Sequence, residues 1–158
     1  MCGIAGIFHL ETAKPVDPAR VKAMCDAQSH RGPDGEGIWT GPGVGLGHRR
    51  LSIIDLEGSP QPMATADGVL TITFNGEIYN YQDVRAELQA LGHQFRTAGD
   101  TEVILLGYRQ WGAEVLPRLN GMFAFAIHDA RARTLFLARD RFGVKPLHYA
   151  PVADGSVV

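Results

Sequence analysis

Strand-like runs in this chain arrive in closely spaced blocks, and that spacing restricts the fold more than any other feature. The strand candidates at 37–40 and 43–48 flank Gly41-Pro42-Gly43, and those at 122–128 and 134–138 flank a turn at 129–133. Links this short join antiparallel neighbours, whereas parallel strands need a crossover of roughly a dozen residues or more. Residues 3–8 (GIAGIF) are an apolar run bounded by turn-formers, a buried strand candidate that starts almost at the N-terminus. Further strands are expected at 50–54 and 68–74. The second of these, GVLTITF, alternates with β-branched residues and runs into Asn75-Gly76. Short strands near 93–97 and 147–151 are also expected, and Asp154-Gly155 starts a hairpin whose returning strand begins where the chain stops. The 19 glycines and nine prolines, about 18% of the chain against a usual ~12%, fit so many turns.

Three helices separate these blocks. The first, at 18–29, has Asp17 as N-cap, Pro18 at its first position, and Val21, Met24, Cys25 and Gln28 at helical spacing. The second, at 81–91, takes Asn80 as cap and ends at Gly92; the third runs from a cap at Asp100 to Trp111 and is apolar almost all round, which predicts deep burial. Helices between hairpins argue for layers of antiparallel sheet and helix and against a parallel βαβ wind. With no repeat or linker in 158 residues, a single domain spanning 1–158 is expected.

Composition removes several function classes. Fifteen Lys+Arg against 17 Asp+Glu leave no basic footprint for nucleic acid. Apolar runs such as 122–127 fall far short of the ~18 residues that span a bilayer. The first ten residues lack a secretory signal pattern, and two cysteines, Cys2 and Cys25, suit a reducing, cytoplasmic setting. The histidines are scattered and there is no CxxC, so no metal site is expected.

Candidate chemistry begins at Cys2. If Met1 is removed, one residue carries a thiol on Cβ and a free amine on Cα, with reference pKa values of about 8.5 and about 8, so proton transfer between them is nearly thermoneutral. The alternative is a small hydrophobe at the start of a buried strand. In FNGEIYN (74–80), Asn75-Gly76 is either a hairpin turn or a pair of N–H donors for an oxyanion, and Glu77 follows as an acceptor for an ammonium. In HRRLSIID (48–55), Arg49 and Arg50 lie on opposite faces of a strand, so only one can clamp a carboxylate in a pocket. Asp100 can serve as helix cap, as ligand for an amine, or as both. Taken jointly, these groups fit a substrate with α-amino and α-carboxylate groups and a reactive acyl carbon, and an amide such as glutamine meets that description.

With RGPDGEG (31–37), GDTEVIL (99–105), NGMFAFAIHD and ARDRFGVKP (138–146) in the same order, the chain closely resembles the glutamine amidotransferase domain of glutamine-hydrolysing asparagine synthetases, of the class II, N-terminal-nucleophile type. The resemblance runs from Cys2 to about Tyr149. It implies an α+β fold, a four-layer αββα sandwich of two antiparallel sheets. It implies Cys2, Asn75 and Gly76 as the catalytic group, and Arg50, Leu51, Ile53, Glu77 and Asp100 as the binding group for L-glutamine. Hydrolysis through a γ-glutamyl thioester would send ammonia through a tunnel to a synthetase domain, where ATP and Mg²⁺ activate aspartate. No pyrophosphate-binding SGGxDS-type loop occurs in this chain, so no cofactor is expected in it, and the domain is expected to be a truncated copy. Family dimers and an exposed sheet edge imply association into a homodimer. The same residues would also serve an amidotransferase that feeds a surface sugar or a peptide, or a non-catalytic glutamine-binding module.

Overall fold

The computed structural model describes residues 2–11, 13–51 and 60–157. The first strand, β1 (Gly3–His9), is flanked in its sheet by β3 (Val44–Arg50) and, at Phe8 and His9, by the short β8 (Ser156–Val157). β2 (Gly35–Gly41) pairs with β3 as a hairpin, giving the order β2-β3-β1-β8. The second sheet runs β4 (Met63–Ala64), β5 (Leu70–Ile78), β6 (Gly121–Asp129), β7 (Thr134–Arg139), in that order. Every pairing in both sheets is antiparallel.

Helices cover the outer faces. Ala5 and Ile7 of β1 pack against Val21 and Cys25 of α1 (Pro18–Ala27), whose N-cap Asp17 accepts from Ala19 N at 2.9 Å. On the same outer face of β3 stand Gly45 and Gly47. A Cβ at Gly47 would collide with Cys25 Sγ and approach Val21 Cγ1 to 2.8 Å, so these glycines let the helix lie against the strand. Beyond the second sheet lies α3 (Asp100–Trp111), and α2 (Tyr81–Ala90) packs against α3 through Val84 and Leu88. Phe123, Phe125 and Ile127 of β6 join Ile72 and Phe74 of β5 and Ile104 and Leu105 of α3 in the largest core cluster. The intervening Ala124 and Ala126 turn toward the first sheet, where Ala126 meets Val44 and Leu46. The layers are therefore helix, sheet, sheet, helix, the αββα sandwich expected. No helix among the described residues is long and apolar enough to cross a membrane.

Several local expectations are corrected. Asn75-Gly76 is not a turn; β5 continues through it to Ile78, because residues 121–124 of β6 pair with it throughout. No strand forms at 93–97. The Glu102 carboxylate instead takes the Arg96 N–H at 3.0–3.1 Å and the Thr97 N–H at 2.7 Å, replacing ladder bonds. Gly99, not Asp100, holds the N-cap position of α3, and the Asp100 side chain turns to Ile78. Asn80 occupies the N-cap of α2 without side-chain capping, since its carboxamide pairs with Asn120 N and Arg118 O, both at 2.9 Å. Near 147–151 only Pro151 bridges, to Val157, and the strand expected at 50–54 lies mostly outside the described residues.

Candidate active site

Alternation along β1 decides where Cys2 points. The odd-numbered residues Ala5 and Ile7 face α1, so Cys2, one residue before the strand, continues the even-numbered face toward the second sheet. Its Sγ lies 3.3 Å from Leu51 N, which donates to it, and Arg31 Nε donates to the Cys2 carbonyl at 3.1 Å. A cavity of about 70 Å³ opens beside the sulfur. Its wall brings together Arg50 and Leu51 from the end of β3, Asn75, Gly76 and Glu77 from β5, and Asp100 from α3. Ile53 lies outside the described residues.

Period-two geometry also separates the two arginines. Arg49, on the outer face, donates from Nε to Cys25 O at 3.1 Å and pairs through Nη2 with Glu36 at 2.6 Å and with Asp26. Arg50, on the inner face, lines the cavity.

The donor groups come from the way β5 meets its neighbours. β4 is two residues long and pairs only with Thr71 and Ile72, so among the described residues no strand lies beside the β5 edge beyond them. In an antiparallel strand every second N–H points to the same edge. Along this edge Phe74 N donates to Gln61 Oε1 at 2.6 Å and Ile78 N donates to Asp100 Oδ2 at 3.0 Å. Gly76 N, between them, has no partner among the described residues and borders the cavity. A Cβ there would strike the Met122 carbonyl and stand 2.7 Å from Phe123 Cα, so only glycine fits this register. Asn75, 3% exposed, is on the inter-sheet face of β5, and its carboxamide likewise has no partner among the described residues.

Electrostatics vary across this wall. Burial pushes the Asp100 carboxyl above the usual carboxylate range, and the neighbouring Glu77 charge adds to the rise, against backbone N–H bonds from Ile78 and Thr101 that oppose it. His48, not singled out from the sequence, also lines the cavity. Burial pushes it down to about 4 with a smaller push from Arg50, so the ring is neutral at working pH and its Nε2–H donates to Phe74 O at 3.1 Å. Strand alternation was the available signal, since His48 is two residues before Arg50 and shares its face. Gln61, Phe74, Thr101, Met122 and Lys145 complete the wall; Thr101 lies within GDTEVIL and Lys145 within ARDRFGVKP, whereas Gln61 lies in none of the motifs. Cys2 and Asn75 also border a second cavity of about 660 Å³ between the sheets, walled largely by Ile4, Leu46, Ala126, Leu135 and Leu137.

Glutamine-hydrolysing asparagine synthetase 3 of Bacillus subtilis is 46% identical over 151 residues, 94% of this chain and 25% of that protein. Glutamine-hydrolysing asparagine synthetase 2 of Oryza sativa is 38% identical over 157 residues, 99% of this chain and 26% of that one. The chain thus spans about a quarter of the length of these relatives. Among solved structures, glutamine phosphoribosylpyrophosphate amidotransferase of B. subtilis superposes with a TM-score of 0.75 at 22% identity, over 99% of this chain and 41% of that one, a likeness of fold. The family model for the glutamine amidotransferase domain matches residues 1–158 in full, and the chain belongs to that family.

Proposed function

We propose that this domain hydrolyses the side-chain amide of L-glutamine and supplies the ammonia to a synthetase domain that converts aspartate to asparagine with ATP and Mg²⁺. The observation that carries the reading is the convergence in one cavity of a thiol, Cys2, with two N–H sources, Asn75 and Gly76, that have no partner among the described residues. Once Met1 is removed, the Cys2 amine takes the thiol proton as sulfur attacks the amide carbon. The carbonyl oxygen becomes an oxyanion and accepts from Asn75 Nδ2 and Gly76 N. Its collapse expels ammonia, protonated through the same amine, and leaves a γ-glutamyl thioester. Water then attacks the thioester carbon, releasing glutamate and restoring the thiol.

Substrate orientation follows from the charged wall. Arg50 would grip the α-carboxylate in a charge-assisted pair, with Leu51 and Ile53 alongside, and Glu77 and Asp100 would receive the α-ammonium. Uncharged ammonia would leave through the apolar inter-sheet cavity that also borders Cys2. The reading includes a cytoplasmic setting and a homodimer, which sedimentation of the purified protein checks.

Replacement of Cys2 tests the centre. Cys2→Ala is expected to abolish glutamine hydrolysis, and a glutamine-shaped diazoketone is expected to add its mass to residue 2 of the initiator-free wild type. Hydrolysis that survives Cys2→Ala overturns the assignment.

A further inference from the structure

Gln61 stands outside every role assigned so far, yet its side chain joins two parts of the site. Its Oε1 accepts from Phe74 N at 2.6 Å and its Nε2 donates to Thr101 Oγ1 at 3.3 Å, while its backbone carbonyl lies against Gly37 of β2. Thr101 is 3% exposed and follows Asp100 at the start of α3. The Phe74 carbonyl, on the same edge of β5, is taken by His48. Both backbone groups of Phe74 are therefore occupied by side chains, two residues before the Gly76 N–H that is not.

The chemistry of that occupant matters. Gln61 presents a carboxamide oxygen to a β5 N–H, which is the interaction proposed for the substrate carboxamide one step along the same edge. Equivalent N–H groups recur every second residue, roughly 6–7 Å apart. Phe74 and Gly76 both line the cavity with Cys2, so a strand edge that offered both N–H groups would offer a glutamine side chain two similar docking points one repeat apart. We propose that Gln61 is a positioning residue for the glutaminase reaction: its carboxamide fills the Phe74 N–H, leaves Gly76 N as the open donor of that edge among the described residues, and ties the edge to the turn of α3 bearing Asp100. The proposal rests on the glutaminase reading.

Two consequences separate this role from simple support of the fold. Losing the filled donor permits non-productive docking, which lowers kcat while KM stays level or falls; loss of ordinary binding contacts raises KM. Loss of positioning also slows reagents that need the carbonyl held at Gly76, and spares those that only need a thiol.

The test uses the 158-residue chain with Gln61→Met, which keeps the length of the side chain and removes its polar atoms. Expected are a kcat for glutamine lower by about tenfold with KM unchanged or lower, a similar slowing of Cys2 labelling by a glutamine-shaped diazoketone, and iodoacetamide labelling within about twofold of wild type. Thr101→Val, which cuts only the far end of the bridge, is expected to lower kcat by a few-fold in the same pattern. This second variant decides the matter if Gln61→Met does not fold. A wild-type kcat in either folded variant, a raised KM with unchanged kcat, or equal slowing of both labelling reagents overturns the proposal alone, because wild type still hydrolyses glutamine. A wild type that neither hydrolyses glutamine nor reacts with the diazoketone overturns the glutaminase reading and this proposal together.

Discussion

Part of the weakening of this domain by acid should come from the His48 ring. The side chain is 1% exposed and burial holds it at about 4, against an ordinary value of 6.5. Above pH 6.5 the ring is neutral in folded and unfolded chains alike, so it costs nothing. Between 6.5 and 4 the unfolded chain binds a proton that the folded chain refuses, and stability falls as pH falls. The gap of 2.5 pH units, at 1.36 kcal/mol each, gives a loss of about 3 kcal/mol on reaching pH 4. Carboxylates titrate in the same window and His128 is also held down by burial, so the measurement must be a difference. His48→Gln keeps a side-chain N–H for Phe74 O and removes the titration. Urea unfolding of both proteins from pH 7 to pH 4 should show the wild type losing about 3 kcal/mol more than the variant. With slopes of about 1–3 kcal/mol per molar, this moves the midpoint by about 1 M or more. Parallel pH dependences, or a His48 ring that titrates near 6.5 by NMR in the folded protein, would refute the reasoning.

The two arginines should part company. Arg50→Ala is expected to raise KM for glutamine about tenfold or more with little change in kcat, whereas Arg49→Ala leaves KM in place and lowers stability by about 1–3 kcal/mol through the lost bonds to Cys25 O and Glu36. Steady-state kinetics and urea melts on both variants check this. Gly76→Ala forces β6 to move at Met122 and Phe123, so thermal unfolding should report a loss of about 1–3 kcal/mol beside lost hydrolysis. Cys25 is 1% exposed and burial pushes its thiol up, so mass-mapped alkylation of the native protein should label Cys2 and spare Cys25. Cys25→Ala should keep hydrolysis at a cost of about 1 kcal/mol in stability.

What the sequence disclosed was periodic or local. The Asp17-Pro18 start of α1, the turn at Gly92 after α2 and the apolar wrap of α3 are written in adjacent residues, and they reappear in place. Alternation set Arg49 and Arg50 on opposite faces, and the family resemblance, not the alternation, chose Arg50 for the cavity. Asn75-Gly76 stayed open between turn and donor pair because it is a strong local turn signal, while the partner that keeps it extended, 121–124, lies more than forty residues away. The 93–97 segment misled: its amides bond to Glu102, a side chain in the following helix, which mimics nothing in a strand pattern. Gln61 was illegible because its partners are 13 and 40 residues distant. Burial, not local sequence, sets the state of His48, and burial is a property of the finished sandwich.

The brevity of β4 has a consequence for anyone who would stabilise this domain. An engineer completing the second sheet would naturally lengthen the Met63–Ala64 ribbon alongside Phe74 and Gly76. Such a redesign would gain ladder bonds and melt at a higher temperature, yet its new carbonyls would cap the Gly76 amide on which the proposed hydrolysis relies. Under the glutaminase reading, thermostability and catalysis compete on this flank for the same N–H, so robust variants should be sought on the opposite margin of that sheet, along Thr134–Arg139.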